Sequence, residues 1–230
     1  MTKKGIHNFL DFRSVNGEKY GDRYPVGSEG KLCGEPVTQQ LRTPLNQDGA
    51  KTRLAIVDVD GTLVFVTEAK RRADIEVFGR PLTRPEFEVQ PGALKGRSYD
   101  LVATKYKDLL VPNKSLVEML NRKGRDGTVV AVLTGRWKRM EEQTKETLQE
   151  IGLEFDWLFT NPDGNVRDEE FKMRLLPQLA TGFESIDVYE DKEDNIHFFK
   201  RKVDTRFSFY IVRPEGMLRI CGGYVPLRMG

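Results

Sequence analysis

Little in this 230-residue sequence points to covalent cross-linking or to a membrane. Cys33 and Cys221 are its only cysteines. Neither belongs to a CxxC pair or a Cys/His cluster, which excludes a disulfide framework and a zinc-ribbon type of site and points to an intracellular, reducing compartment, the cytoplasm before an organelle. No stretch approaches the roughly 18 apolar residues of a membrane span. The charge has no dominant sign: 37 basic and 35 acidic residues leave a formal +2, so bulk electrostatics argue for no polyanionic partner. Behind its first lysines the N-terminus has no apolar segment, and it carries Asp11, Glu18 and Asp22, which argues against a secretory signal.

Periodic structure is also missing from residues 1–52, which are rich in Gly, Pro, Asn, Gln and charge. This stretch reads as an irregular extension that wraps the domain or engages a protein partner. From Arg53 the pattern changes to alternating strand-like and helix-like segments, the signature of a mostly parallel sheet covered by helices. Expected strands are 54–60, 128–134, 155–160, 186–191 and 206–213. Expected helices are 114–123, ended by Gly124; 137–151; 166–179, ended or kinked by Pro177; and about 195–202. Residues 65–113 do not fit the repeat and form an insertion, with basic clusters at Lys70, Arg71 and Arg72 and at Arg80 and Arg84.

The most informative stretch is LAIVDVDGTLVF at 54–65, where Asp58 and Asp60 stand at the end of a buried strand. In open α/β sheets ligands bind past the carboxyl ends of the strands. Thr134, Gly135 and Arg136 follow the second long strand, and Glu190 and Asp191 end the fourth, with Asp194 and Asn195 just beyond. Lys172, on a helix, is placed to lean over the same edge. Clustered carboxylates repel and need a hard cation among them, and an all-oxygen set of few ligands suits Mg²⁺. The chemistry that calls for this set is phosphoryl transfer through an aspartate, with Lys172 as fixed positive charge and the Thr134 hydroxyl donating a hydrogen bond to phosphate oxygens. Gly61 permits a tight turn bringing backbone N–H groups to the phosphate. Taken alone, DxDG also describes an Asx-capped turn; four features in order outweigh that reading.

DVDGTL at 58–63 resembles the first motif of the haloacid dehalogenase (HAD) superfamily, DxDx[TV] after a buried strand. Thr134, Lys172 and YEDKEDN at 189–195 match the later motifs in order. The resemblance spans about 53–213 and implies a Rossmann-like α/β fold with helices on both faces and a small cap insertion, within a catalytic domain of 53–230. It implies that Asp58 is the nucleophile, Asp60 the general acid/base, Thr134 and Lys172 further catalytic residues, and Gly61, Thr62, Gly135 and Arg136 substrate-binding. Mg²⁺ would be held by Asp58, by Asp60 through its backbone carbonyl and by Asp191, with Asp194 or Asn195 behind them; Glu190 is as readily a surface charge as a ligand. LTGR at 133–136 and YEDK at 189–192 look most like the phosphatase domain of phage-type polynucleotide kinase and related RNA-repair proteins. The implied activity is Mg²⁺-dependent hydrolysis of a phosphomonoester, a small molecule, nucleotide or nucleic-acid 3′-phosphate end. A scaffold subunit of a larger assembly and phosphotransfer to an acceptor other than water are the competing readings. Arg136 also reads as a helix cap or a partner for an acid, Lys70, Arg71 and Arg72 as a solvated face or a phosphate-steering patch, His197 as structural on an apolar edge, and Trp137 and Trp157 as core.

Overall fold

The structure is a computed structural model that describes residues 52–162, 166–214 and 216–220. The extension 1–51, both cysteines and most of the expected turn at 161–165 lie outside the described residues.

The chain enters the sheet at β1 (Arg53–Val57), whose last four residues are all buried. A strand apolar on both faces belongs in the middle of a parallel sheet. β1 indeed lies between β4 (Val129–Trp137) and β6 (Ser185–Glu190), parallel to both, with Ile56 opposite Ala131 on one side and Val188 on the other. β5 (Trp157–Asn161) extends the sheet beyond β4, and β7 (Phe207–Arg213) extends it beyond β6. A sixth strand, β8 (Gly216–Ile220), turns back antiparallel on β7; the sequence reading contains no counterpart to it.

Several boundaries differ from expectation for local reasons. β4 runs on through Gly135 and Arg136 to Trp137, and its register against β5 shifts between Thr134 and Trp137. The expected helix at 137 therefore begins only at Glu141 (Glu141–Glu150), after a 3₁₀ turn at Lys138–Met140. The helix Lys114–Arg125 starts with the Asn113 side chain accepting the Leu116 N–H, and it passes through Gly124. The residue that takes the left-handed conformation after it is Gly127, at φ 81°. Pro177 lies inside the helix Asp168–Leu179 without ending it, since it falls in the last turn. The following helix is Glu193–Lys200, two residues earlier than expected.

The insertion is helical. Two short antiparallel strands, β2 (Val64–Phe65) and β3 (Val111–Pro112), form its stalk. Between them come α1 (Thr67–Phe78), α2 (Arg84–Glu88) and α3 (Gly92–Ala103). Ala69, Ala73 and Val102 make a small apolar cluster of its own, apart from the larger one around Ala55, Val57, Leu116, Leu120 and Val132. Val66 and Leu110 pack against both clusters. Asp74 is buried between α1 and α3, accepting from Ser98 Oγ at 2.7 Å and from Lys70.

Lys70 also lies 3.5 Å over the Phe87 ring, while Arg71 and Arg72 both pair with exposed Glu68. All three cations are thus engaged within the insertion. Trp137 and Trp157 are half-buried rather than core residues, and His197 is exposed, near Glu193, instead of lying on an apolar edge.

Candidate active site

Asp58 follows the last residue of β1 and is 5% exposed; its backbone N–H donates to the Tyr189 carbonyl at 3.1 Å, which ties the end of β1 to β6. Beside it is Lys172, from the helix Asp168–Leu179, 2% exposed. The ammonium lies 2.9 Å from Asp58 Oδ1, 2.9 Å from Glu190 Oε2 and 3.2 Å from Asp168 Oδ1. Glu190 ends β6 and is 1% exposed, so it is a buried partner of Lys172 and not a surface charge. Lys192 closes the group from the other side, 2.9 Å from Asp168 Oδ2.

Asp58, Glu190 and Asp191 bring carboxylate oxygens within 4.8 Å of one another. With Asp168 that makes four carboxylates against two lysines, a deficit of two positive charges in a largely buried place. The titration behaviour follows. Burial pushes Asp58 well above the usual carboxylate range; Lys172 pulls the other way, and Glu190, Asp168 and Asp191 add to the rise. Burial and the Glu190 charge push Asp191 up to about 7. Asp168 is also penalised by burial, yet Lys172 and Lys192 hold it well below its ordinary value, and Lys172 holds Glu190 lowered in the same way. Lys172, despite its burial, is held protonated by Asp168, Asp58 and Glu190.

A divalent cation fits this deficit. Asp191 Oδ1 is buried and accepts no hydrogen bond among the described residues. Gly61 has φ 89°, and a Cβ there would fall 2.4 Å from Asp191 Oδ2, so only glycine allows the turn after Asp60 to lie against this carboxylate. The oxygen-only donors match a hard ion such as Mg²⁺.

Asp60 has a different surrounding. Arg136 grips it in bidentate fashion, Nε to Oδ2 at 2.9 Å and Nη2 to Oδ1 at 2.7 Å. The Arg136 side chain is only 3% exposed. Burial works against its charge, but Asp60 more than compensates and raises it above its ordinary value. The Arg136 N–H donates to Thr134 Oγ1 at 3.2 Å, which holds the two residues in one compact turn.

The expected residues thus form two adjoining groups, Asp58 with Lys172 and Asp191, and Asp60 with Arg136 and Thr134. The Asp60 carboxylate does not join the metal-capable cluster, where Glu190 stands instead. The Gly61 N–H is taken by the Val64 carbonyl at 2.8 Å, and the Thr62 N–H by Val59 at 3.3 Å, so neither donor is turned outward. Thr62 is fully buried. Gly135 faces Asp168, whose Oδ1 a Cβ would approach to 2.5 Å. Asp194 is exposed, whereas Asn195 is buried and donates to Asp168 at 3.4 Å.

Three participants were not singled out from the sequence. Asp168 stands four residues before Lys172 on one helix, a spacing that puts the two on one face. Lys192 directly follows the acidic pair. Arg213, at the end of β7, donates to the Asp191 carbonyl and steadies the turn that carries it.

No family model matches the chain, and no curated protein matches it. Solved structures do. A predicted phosphatase from Clostridium acetobutylicum matches at 14% identity over 70% of this chain and 84% of its own, with a TM-score of 0.51. A chain of the Pnkp1/Rnl/Hen1 RNA repair complex matches at 16% identity over 73% of this chain and 44% of its own, TM-score 0.50. A second structure of that complex gives 17% identity, 74% and 49%, and 0.48. The chain therefore spans less than half the length of those RNA-repair chains, and at such identities the likeness is one of fold. That fold, a parallel sheet in the order β5-β4-β1-β6-β7 with an antiparallel edge, is a Rossmann-like α/β fold, shared with that predicted phosphatase.

Proposed function

We propose that this chain is a Mg²⁺-dependent phosphomonoester hydrolase acting through an aspartyl-phosphate. The observation that carries the reading is the buried Asp58 carboxylate, 2.9 Å from an equally buried lysine, among acids that want a cation. Burying four acids together is costly, and a scaffold has no use for the expense.

In the first step an Asp58 oxygen attacks phosphorus, forming the Asp58–O–P bond as the bond to the leaving oxygen breaks. Asp60 gives that oxygen its proton. In the second step Asp60 takes a proton from water, whose oxygen attacks phosphorus; the bond to Asp58 breaks and inorganic phosphate leaves. Arg136 uses one lone-pair position on each Asp60 oxygen, which leaves a second on each for the proton and fixes the carboxylate's plane. Lys172 steadies Asp58 and the transferring oxygens, and Thr134 and the Gly135 turn lie beside them. Asp58, Asp191 and the Asp60 backbone carbonyl would hold Mg²⁺, which neutralises charge on the transferring group. The domain beginning near Arg53 carries the reaction, with the helical insertion as its cap.

The substrate class is a nucleotide or the 3′-phosphate end of a nucleic acid. The resemblance of LTGR and YEDK to RNA-repair phosphatases supports it, and the fold likeness to a chain of an RNA repair complex is in keeping with it.

The test is hydrolysis of an aryl phosphate by the full chain with Mg²⁺ or with chelator. Wild type turns over only with the metal, and Asp58→Asn loses on the order of 10⁴-fold in kcat while keeping its fold by circular dichroism. Undiminished turnover by that variant would rule out the aspartyl-phosphate.

A further inference from the structure

We propose that Tyr99 is the residue through which the insertion recognises the leaving group, and that this leaving group is a nucleoside whose base stacks on the Tyr99 ring. The proposal rests on the hydrolase reading above and its nucleotide substrate class, and adds to them the residue that recognises the nucleoside.

The helix that carries Tyr99 is docked on the core at two points. A Cβ on Gly96 would fall 2.3 Å from the Trp137 ring, so α3 meets that ring with backbone alone. Asp100 accepts twice from Arg139, at 2.7 and 2.9 Å, and the same guanidinium lies 4.3 Å over Trp137. Both contacts are made to the segment that directly follows Arg136. Tyr99 stands three residues after Gly96, on the same side of the helix, and next to Asp100.

Its surroundings are those of the site. After burial, Lys192 of the core acts most on its phenol and works against the rise, while Glu88 of the insertion and then Asp60 and Asp168 add to it. Burial of the hydroxyl pushes it up to about 12, so it stays a neutral donor and does not repel a phosphate ester. The ring meets Phe87 edge-on, centroids 5.3 Å apart and planes at 82°. Phe87 is itself packed under Lys70, whose ammonium also lies 5.8 Å from the centre of the Tyr99 ring.

Even so, 41% of Tyr99 is exposed. Among the described residues it is the only aromatic in the set of exposed large hydrophobics, the others being Ile75, Val89, Leu94, Leu109 and Val111. A half-exposed aromatic ring on the helix that meets the segment after Arg136 offers a surface on which a flat leaving group can stack. Bases stack on such rings irrespective of sequence, and removing the ring costs between about fivefold and a hundredfold in affinity.

The experiment compares kcat/KM for adenosine 3′-monophosphate, ribose 5-phosphate and β-glycerol phosphate in wild type, Tyr99→Ala and Tyr99→Phe. The expected result is that Tyr99→Ala lowers the preference for the nucleotide over both other esters by about fivefold to a hundredfold, while Tyr99→Phe keeps it. An unchanged preference, or an equal fall for ribose 5-phosphate, overturns the proposal. Calorimetric binding of adenosine 3′-monophosphate to Asp58→Asn, with and without Tyr99→Ala, separates the two levels. Wild type that hydrolyses none of the esters sinks the hydrolase reading, yet this binding arm still decides Tyr99. Binding indifferent to the ring, or no binding, sinks the Tyr99 proposal even where hydrolysis stands.

Discussion

The charges of the core site and those of the helical insertion are arranged on opposite terms. At the end of β1 and β6, Asp58, Lys172 and Glu190 are all 5% exposed or less, and with Asp168, Asp191 and Lys192 they form one closed group of charges. On α1, Arg71 and Arg72 share Glu68 in open solvent, where water competes for each bond. Low dielectric makes the first group interdependent, so that removing one member strands the rest; screening makes the second group nearly independent. The contrast marks where chemistry is expected, since strongly perturbed titratable groups in desolvated clusters gather at active sites.

The sharpest way to break this comparison is Lys172→Met. It leaves Asp58, Glu190 and Asp168 without their shared cation, and we expect a loss of about 3–5 kcal/mol in chemical denaturation together with loss of activity. Gly61→Ala is next. Its φ of 89° and the Asp191 oxygen 2.4 Å from the new methyl predict about 1–2 kcal/mol of strain. They also predict Mg²⁺ binding about fivefold to thirtyfold weaker by titration calorimetry, the same strain converted at about 1.4 kcal/mol per tenfold.

A pH experiment refines the same contrast. Asp191 is raised from 3.8 to about 7 in the folded chain, so without metal the folded state holds a proton that the unfolded state releases. The metal-free chain therefore loses stability as pH rises from the ordinary carboxylate range through about 7. Mg²⁺ replaces that proton, and the Mg²⁺-induced rise in melting temperature grows between pH 5.5 and pH 8. A rise that is flat across this range would remove Asp191 from the ligand set. The smallest effect belongs to Arg71→Ala, which leaves the melting temperature where it is.

Much of this site was written in apolar runs that end in acids. A strand buried on both faces leaves no reading for Asp58 except the sheet's carboxyl edge, and the same logic located Thr134 and Asp191. Asp168 escaped because an acid four residues before a lysine looks like any solvated helix pair; only the third dimension shows Lys192 closing on it. Glu190 was ambiguous for a related reason, as its burial depends on Lys172 arriving from a distant helix. The boundaries that moved lie where tertiary contacts outvote local signals: β4 continues past Gly135 to pair Trp137 with Asn161, and Gly124 is carried along by its helix. β8 was not legible because an edge strand of five residues has too little periodic signal.

Val66 and Leu110, which pack against both apolar clusters, give the molecule a seam. Above them the insertion rests on three small buried residues; below them β1 is laced to strands on both sides. Amide exchange would therefore proceed at two tempos, with α1 and α3 opening as a unit many times for each opening of the strand beneath Asp58. On the proposed reaction, breathing of that kind would let substrate in and phosphate out through the softer part while Asp58 stays tied to the end of its strand.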